Sequence, residues 1–178
     1  MSKEGKINIA GLLLFGKNPQ QFKPIFTIQC VSVFGNEISS NQFRDKENPF
    51  SGNLKELYNK TRSFITRNLR KMQVEDGFNS QPKLEISIET IEELLVNALI
   101  HRDYFIFSSI KVFIFDNRME IVSPGKLPNS LTIDNVKIGT SIPRNPILFT
   151  NARFVIPFFG GGLVAAYREP MKILLIWN

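Results

Sequence analysis

The spacing of hydrophobic positions along the chain predicts a mixture of helices and strands. Apolar residues three and four positions apart indicate amphipathic helices, whereas alternating or short β-branched apolar runs indicate strands. The predicted helices cover residues 9–15, 52–72, 87–102, 131–138, 147–154 and 163–168. The predicted strands cover residues 25–34, 42–44, 109–115, 118–122 and 171–177. Because these elements show no strict βαβ alternation, we expect a two-layer α/β sandwich with helices packed on a mixed sheet.

Individual residues mark where several of these elements begin and end. Asn8 can cap the first helix, and Gly16 stands where a glycine commonly ends one. Asp116 and Asn117 separate two predicted strands and suit a tight hairpin turn. Residues 74–83 are expected to form a linker between the second and third helices.

The third predicted helix carries a polar seam along one side. Glu93, Asn97 and His101 are spaced four positions apart, so their side chains project from the same side of the helix. An asparagine offers a neutral oxygen to Mg²⁺, and a glutamate can act as a base toward water. The seam therefore suits a Mg²⁺–nucleotide site, and the alternative is a solvated polar stripe on a surface helix.

The composition is that of an ordinary globular domain, with an excess of phenylalanine. The chain has 178 residues, of which 43% are hydrophobic and 21% charged. This length fits a single domain over residues 1–178, with a helix–strand–helix part at 1–72 and a motif-bearing part at 84–170. The sixteen phenylalanines indicate a thick core, or a surface that another domain normally covers.

The charge and the single cysteine restrict the possible functions. A net charge of +6 is compatible with nucleic-acid binding without showing it. The predicted helix at 52–72 concentrates basic residues, and these form either a nucleic-acid-binding face or an ordinary solvated one: Lys60, Arg62, Arg67, Arg70 and Lys71. Cys30 lies in an apolar strand, which indicates a core residue. Neither a signal-peptide block nor an apolar run of membrane-spanning length is present, so we expect a cytoplasmic protein without a membrane partner.

Three further segments could contact a ligand. A glycine triplet, Gly160, Gly161 and Gly162, precedes a predicted helix and forms either a phosphate cradle or a hinge. Ser123, Gly125 and Lys126 lie in a stiff loop after a strand, where Lys126 could face a ligand. Arg144 stands at the entry of the predicted helix at 147–154. A Walker-type phosphate loop is absent, so the chain does not encode a motor ATPase.

Four segments in colinear order resemble a known family. They are residues 9–16, residues 93–104 with the sequence ELLVNALIHRDY, residues 121–128 with IVSPGKLP, and residues 143–146 with PRNP. They resemble the transcriptional regulators often labelled "ATP-dependent DNA helicase RecG-related". Such proteins usually carry a DNA-binding domain of the Schlafen AlbA type. It is followed by a domain similar to the GHKL ATPases, which include gyrase B, the histidine kinases and MutL.

The resemblance implies a role for each candidate residue. It makes Glu93 the water-activating carboxylate and Asn97 the ligand of a nucleotide-bound Mg²⁺. It places Ser123, Gly125 and Lys126 in the adenine-binding loop, and Gly160, Gly161 and Gly162 over the phosphates. His101 and Arg144 complete the expected nucleotide contacts. Ser123 stands where these ATPases have an aspartate, and Leu127 replaces a glycine, so we expect Mg²⁺–ATP binding more readily than hydrolysis.

The sequence therefore predicts a GHKL-like, ATP-binding regulatory domain, with weak ATPase activity as an open possibility. DNA would be contacted through a separate or missing N-terminal domain, since the chain resembles a fragment of a larger regulator. The alternative is a degenerate, non-catalytic module for interaction or homo-oligomerisation. A third hypothesis is direct nucleic-acid binding by the basic helix.

Overall fold

Four α-helices and nine strands make up the described part of the chain. The computed structural model describes residues 2–3, 5–38, 42–72, 82–126, 142–156 and 171–177. The helices are α1 (Ile9–Phe15), α2 (Leu54–Asn68), α3 (Ile88–Ile100) and α4 (Pro146–Ala152). The strands are β1 (Ser2–Lys3), β2 (Lys6–Ile7), β3 (Ile28–Val33), β4 (Phe43–Lys46), β5 (Lys71–Met72), β6 (Lys83–Leu84), β7 (Ile110–Ile114), β8 (Arg118–Ser123) and β9 (Lys172–Trp177). The predicted helices at 131–138 and 163–168 lie outside these residues.

The central sheet is mixed, as predicted. Its five strands lie in the order β4-β3-β7-β8-β9. The β3–β7 and β8–β9 pairs are parallel, whereas the β4–β3 and β7–β8 pairs are antiparallel. The predicted hairpin turn is confirmed, since the Phe115 N–H donates to the Arg118 carbonyl across the turn between β7 and β8 (2.8 Å).

The prediction of one continuous helix over residues 52–72 is wrong at its C-terminal end. Helix α2 ends at Asn68, and Lys71 and Met72 pair antiparallel with Leu84 and Lys83 instead. The backbone of Arg70 supports this pairing, because its carbonyl accepts from the Glu85 N–H (3.0 Å). The predicted linker at 74–83 is therefore shorter, since Lys83 belongs to β6.

The sheet packs its helices on one face. Alternate residues of β3, β7 and β8 are buried in a common core with α2 and α3: Ile28, Cys30, Ile110, Val112, Ile114, Met119 and Ile121. The intervening residues, such as Gln29, Lys111 and Glu120, are exposed or half-buried. This alternation is typical of a sheet with one face on the core. The burial of Cys30 confirms it as a core residue, and burial raises the pKa of its thiol to about 12.

Local capping explains where the helices begin. The Asn8 side chain accepts from the Gly11 N–H (2.8 Å), and Asn53 forms a reciprocal capping box with Glu56 at the start of α2. Gly16 is the C-terminal cap of α1. Its φ of −67° is a value that any residue can adopt, so backbone conformation does not require a glycine here. Glycine is required there for space, because a Cβ would lie 2.5 Å from the Leu12 carbonyl oxygen.

None of the helices within the described residues combines the length and apolar character needed to cross a lipid bilayer.

Candidate functional site

Helix α3 presents the predicted polar seam at the edge of the core. Ser87 caps the helix by accepting from the Thr90 N–H (3.2 Å). Most of the helix is buried, while Glu93, Asn97 and His101 are half-buried. His101 is the C-terminal cap, and its N–H donates to the Asn97 carbonyl (3.0 Å). The seam is therefore partly withdrawn from water, which a solvated stripe would not be.

Glu93 supplies the one carboxyl group of the seam, and its pKa is strongly raised. Its Oε1 atom is buried and has no hydrogen-bond partner among the described residues. Burial without a compensating partner disfavours the ionised form and raises the pKa of Glu93 from 4.5 to about 7. A carboxyl group with a pKa near neutrality can exchange a proton with water or a ligand, as a general base must.

His101 closes the seam between two aromatic side chains. Its ring lies edge-on to Phe149 of α4 (6.2 Å between ring centroids) and to Trp177 of β9 (6.3 Å). Burial, followed by the nearby positive charge of Arg144, lowers the pKa of His101 below its usual 6.5. The lowered pKa favours the neutral imidazole, and the ring joins α3 to the last strand of the sheet.

The end of β8 is fastened to α3 through Ser123. Its hydroxyl is fully buried and donates to the Ala98 carbonyl (2.8 Å). The chain then turns through Pro124, whose carbonyl accepts from the Asp103 N–H (2.7 Å). The predicted ligand loop is thus attached at its first residues to the C-terminal end of the seam helix.

Gly125 brings this loop into close contact with the residues after α3. Its φ is +125°, a backbone conformation that side chains rarely adopt. A Cβ at this position would also lie 3.0 Å from the Asp103 Cβ. The glycine predicted to lie in the adenine-binding loop therefore makes its close contact, at least in part, with the protein itself.

Arg144 connects three of the predicted segments. Its Nη1 pairs with the Asp103 carboxylate (3.0 Å), and its Nη2 donates to the Lys126 carbonyl. The Lys126 side chain itself is exposed. Residues separated by more than forty positions thus meet at one end of α3, with Arg144 as a structural tie between them.

Asn145 completes this assembly in a way that the sequence did not reveal. Its Nδ2 donates to the carbonyls of Ile100 and Arg102 (2.8 Å each). These groups lie at the end of α3, where backbone acceptors lack helical partners. Although Asn145 precedes α4, its side chain satisfies the end of a different helix.

Arg102 and Tyr104 are structural residues that were not among the predicted site residues. Arg102 is 2% exposed, and its guanidinium lies over the rings of Phe26 (5.0 Å) and Tyr104 (5.1 Å). It donates to the Ser108 carbonyl (2.6 Å), while the Tyr104 hydroxyl donates to the Leu99 carbonyl (2.8 Å). The only sequence signal for this cluster was the HRDY run within the resemblance.

Two predicted ligand elements remain, the glycine triplet and the metal site. Gly160, Gly161 and Gly162 lie outside the described part of the chain. Within that part, no group of three or more His, Cys, Asp or Glu side chains could hold a metal ion by itself. A Mg²⁺ ion at Asn97 would therefore need further oxygen ligands, such as water molecules or the phosphates of a nucleotide.

Of the five basic residues predicted for the helix at 52–72, three pair with carboxylates of the described residues, and one of them, Arg70, follows the observed end of α2. Arg62 pairs with Glu92 (2.6 Å), Arg67 with Asp45 and Glu47 (3.0 and 2.5 Å), and Arg70 with Asp116 (2.8 Å). Guanidinium groups held by carboxylates are less available to phosphates. These pairs favour the solvated-face interpretation of the basic helix over direct nucleic-acid binding.

Comparisons with known proteins support part of the predicted resemblance. Residues 108–157 match the family described as "Putative ATP-dependent DNA helicase recG C-terminal". No curated protein matches the sequence.

Among solved structures, the DIP2311 protein from Corynebacterium diphtheriae has a similar fold, with a TM-score of 0.70 at 23% sequence identity. The similarity covers 87% of this chain and 30% of that protein, so this chain spans less than a third of its length. The structural likeness shows a shared fold, and the family match supports a RecG-related, ATPase-like domain.

Proposed function

We propose that the chain is a nucleotide-binding regulatory domain that takes Mg²⁺–ATP along the polar seam of α3. The observation that carries this proposal is one carboxyl oxygen of Glu93, which is buried without a partner among the described residues, one helical turn from Asn97. A buried, unpaired polar atom is costly unless a ligand or another group satisfies it. An amide oxygen and a poised carboxyl group together suit a metal that brings its own phosphate oxygens.

The proposed roles follow from the chemistry of each side chain. Asn97 would supply a neutral oxygen to the metal, and Glu93 would orient or deprotonate a water molecule. Mg²⁺ would neutralise charge on the phosphates. The exposed Lys126 would add a positive charge at the loop that follows β8.

Two observations support binding as a more prominent property than turnover. Ser123 uses its hydroxyl proton on the Ala98 carbonyl, and Arg144 is engaged by Asp103 and Lys126. Neither side chain is therefore free to stabilise the negative charge that develops on a phosphate during hydrolysis. A regulatory domain needs only a difference in affinity between two conformations, so weak hydrolysis would suffice. In a longer regulator, nucleotide binding would alter how a separate DNA-binding domain is presented.

Calorimetric titration with Mg²⁺–ATP tests the proposal. We expect saturable heat for the unaltered chain and at least a tenfold weaker affinity for Asn97→Ala. Asn59→Ala provides a matched control, because Asn59 is an exposed asparagine on α2. Absence of heat at millimolar nucleotide, or equal affinities for both variants, would exclude this site.

Phosphate release separates binding from catalysis. If Glu93 activates water, Glu93→Gln should retain nucleotide binding and lose at least about 90% of any measured turnover. Turnover that is unchanged in this variant would assign the activity to a contaminant or to another residue.

The second candidate is a non-catalytic interaction module. It is favoured by the engagement of Ser123 and Arg144 within the protein and by the apolar side chains that α3 and its following loop leave exposed. A stable homo-oligomer together with unchanged thermal unfolding in nucleotide would support it over the first candidate.

A further inference from the structure

The loop after α3 exposes two aromatic rings beside an apolar groove. Phe105 is 89% exposed and Phe107 is 81% exposed. Hydrogen bonds fix the loop, since Asp103 Oδ1 accepts from the Phe105 N–H (2.9 Å) and the Ile106 carbonyl accepts from the Ser108 N–H (3.0 Å). The hydrogen-bonded backbone therefore keeps both rings exposed to water. This exposure of apolar surface costs free energy unless a partner covers the rings.

The neighbouring groove has the dimensions of a binding site. Its volume is about 480 Å³, within the range typical of ligand pockets. Its walls come from the residues around the start of α1, from Tyr104 and Phe105, and from Arg144 to Leu148. The lining is mostly apolar, and its one guanidinium, that of Arg144, is already paired with Asp103. The groove therefore suits an apolar protein side chain better than an anionic ligand.

We propose that this surface binds a second copy of the same chain, with the Phe105–Phe107 loop of each copy in the groove of the other. The loop projects at the rim of the groove, because Phe105 both lines the groove and extends into solvent. A two-fold axis beside this rim places each loop opposite the partner's groove, so one surface serves as both halves of the contact.

The exposed apolar area supplies more than half of such a contact. Ile7 is 59% exposed and Ile147 51% exposed, and both line the same groove as Phe105. With the two phenylalanines they present roughly 500 Å² of apolar surface. A stable interface buries about 800 Å² on each partner, so the groove walls need to add only the remainder.

The charge distribution is consistent with the same partner. Residues 105–110 contain no charged side chain, although the whole chain has a net charge of +6. Two copies with the same net charge repel each other, so they can approach most easily through an uncharged surface. The cores of protein interfaces are likewise depleted in charged residues. Added salt should therefore strengthen the association by screening the repulsion.

Sedimentation velocity over a range of protein concentrations, without nucleotide, tests this proposal independently of ATP binding. We expect a reversible dimer with a micromolar Kd for the unaltered chain. Phe107→Ser, in the loop, and Ile147→Glu, in the groove, should each raise the Kd by at least about 100-fold, because a two-fold dimer loses both equivalent contacts. Phe22→Ser is the control, since Phe22 is 69% exposed and lies outside the groove lining.

Mixing the two interface variants provides a sharper test. A heterodimer of Phe107→Ser with Ile147→Glu keeps one intact loop in one intact groove, so the mixture should associate more tightly than either variant alone. Circular dichroism confirms that each variant remains folded. A monomer at every concentration, equal weakening by Phe22→Ser, or no gain on mixing would overturn the proposal.

Discussion

Replacing Glu93 by glutamine should stabilise the protein at neutral and alkaline pH. The Glu93 carboxyl is half-buried, and one of its oxygens has no hydrogen-bond partner among the described residues. Burial therefore raises the pKa of Glu93 from 4.5 to about 7. Glutamine has nearly the same shape and carries no charge, so it removes the cost of burying an ionised group.

The sign of the effect follows from proton binding in the two states. Below pH 4.5 the carboxyl is protonated in the folded and the unfolded chain, and Glu93→Gln should change the free energy of unfolding little. Between pH 4.5 and about 7 the unfolded chain loses the proton while the folded chain keeps it, so the stability of the unaltered protein falls as pH rises. Above pH 7 the penalty is constant.

The size of the penalty can be bounded from the structure. Moving the pKa from 4.5 to about 7 corresponds to at most about 3 kcal/mol once the group is ionised. Water reaches part of the side chain and screens its charge, so we expect about 1–2 kcal/mol. For a chain of this size, that gain raises the Tm by roughly 2–8 °C.

Urea unfolding of both proteins at intervals between pH 4 and pH 8 measures this difference directly. The variant should gain stability over the unaltered chain progressively across the interval from pH 4.5 to about 7. Glu89→Gln is the control, because Glu89 is an exposed carboxylate in the first turn of the same helix and should give no such gain. A pH-independent difference, or a less stable Glu93→Gln protein at pH 8, would refute the proposed desolvation of Glu93.

Three further predictions concern the structure around the site. Gly125→Ala should lower the free energy of unfolding by about 2–4 kcal/mol, and Gly35→Ala by only about 1 kcal/mol. Both glycines have positive φ, but a new Cβ meets the Asp103 side chain only at Gly125. In chemical denaturation, Gly35→Ala therefore measures the backbone strain alone, and the additional loss of stability in Gly125→Ala measures the steric clash. Asn145→Ala should destabilise by about 1–2 kcal/mol, because it removes two hydrogen bonds to the end of α3; equal stability in thermal unfolding would contradict this role. Asp116→Asn should cost about 1 kcal/mol at pH 7. A hydrogen bond from Arg44 is the first cause that holds the pKa of Asp116 at about 2, so its contribution is present above pH 3.8 and is lost as pH falls toward 2. Acid unfolding curves of the two proteins should therefore converge near pH 2.

The sequence by itself determined most of the helices and strands. Hydrophobic periodicity and capping residues located α1, α3 and the β7–β8 hairpin within a few residues of their observed bounds. These signals are local, since period and cap depend on residues within one or two turns. The two-residue strands β1, β2, β5 and β6 were not predicted, because two residues carry no periodicity.

The seam of Glu93, Asn97 and His101 could also be read from the sequence, because helical spacing fixes the side on which residues project. The sequence did not determine whether that side of the helix faces water. Burial of one Glu93 oxygen depends on what the rest of the chain packs against α3, and no local pattern records it.

Tertiary structure alone decided how the separated segments meet. Asp103, Gly125 and Arg144 are brought into contact at the end of α3, and Asn145 donates to the carbonyl of Ile100, the last residue of that helix, forty-five positions earlier. The strand order β4-β3-β7-β8-β9 was equally absent from the linear pattern. Periodicity specifies which face of an element is apolar, whereas the partner of that face is chosen by the packing of the whole chain, which minimises exposed apolar surface and unpaired polar groups together.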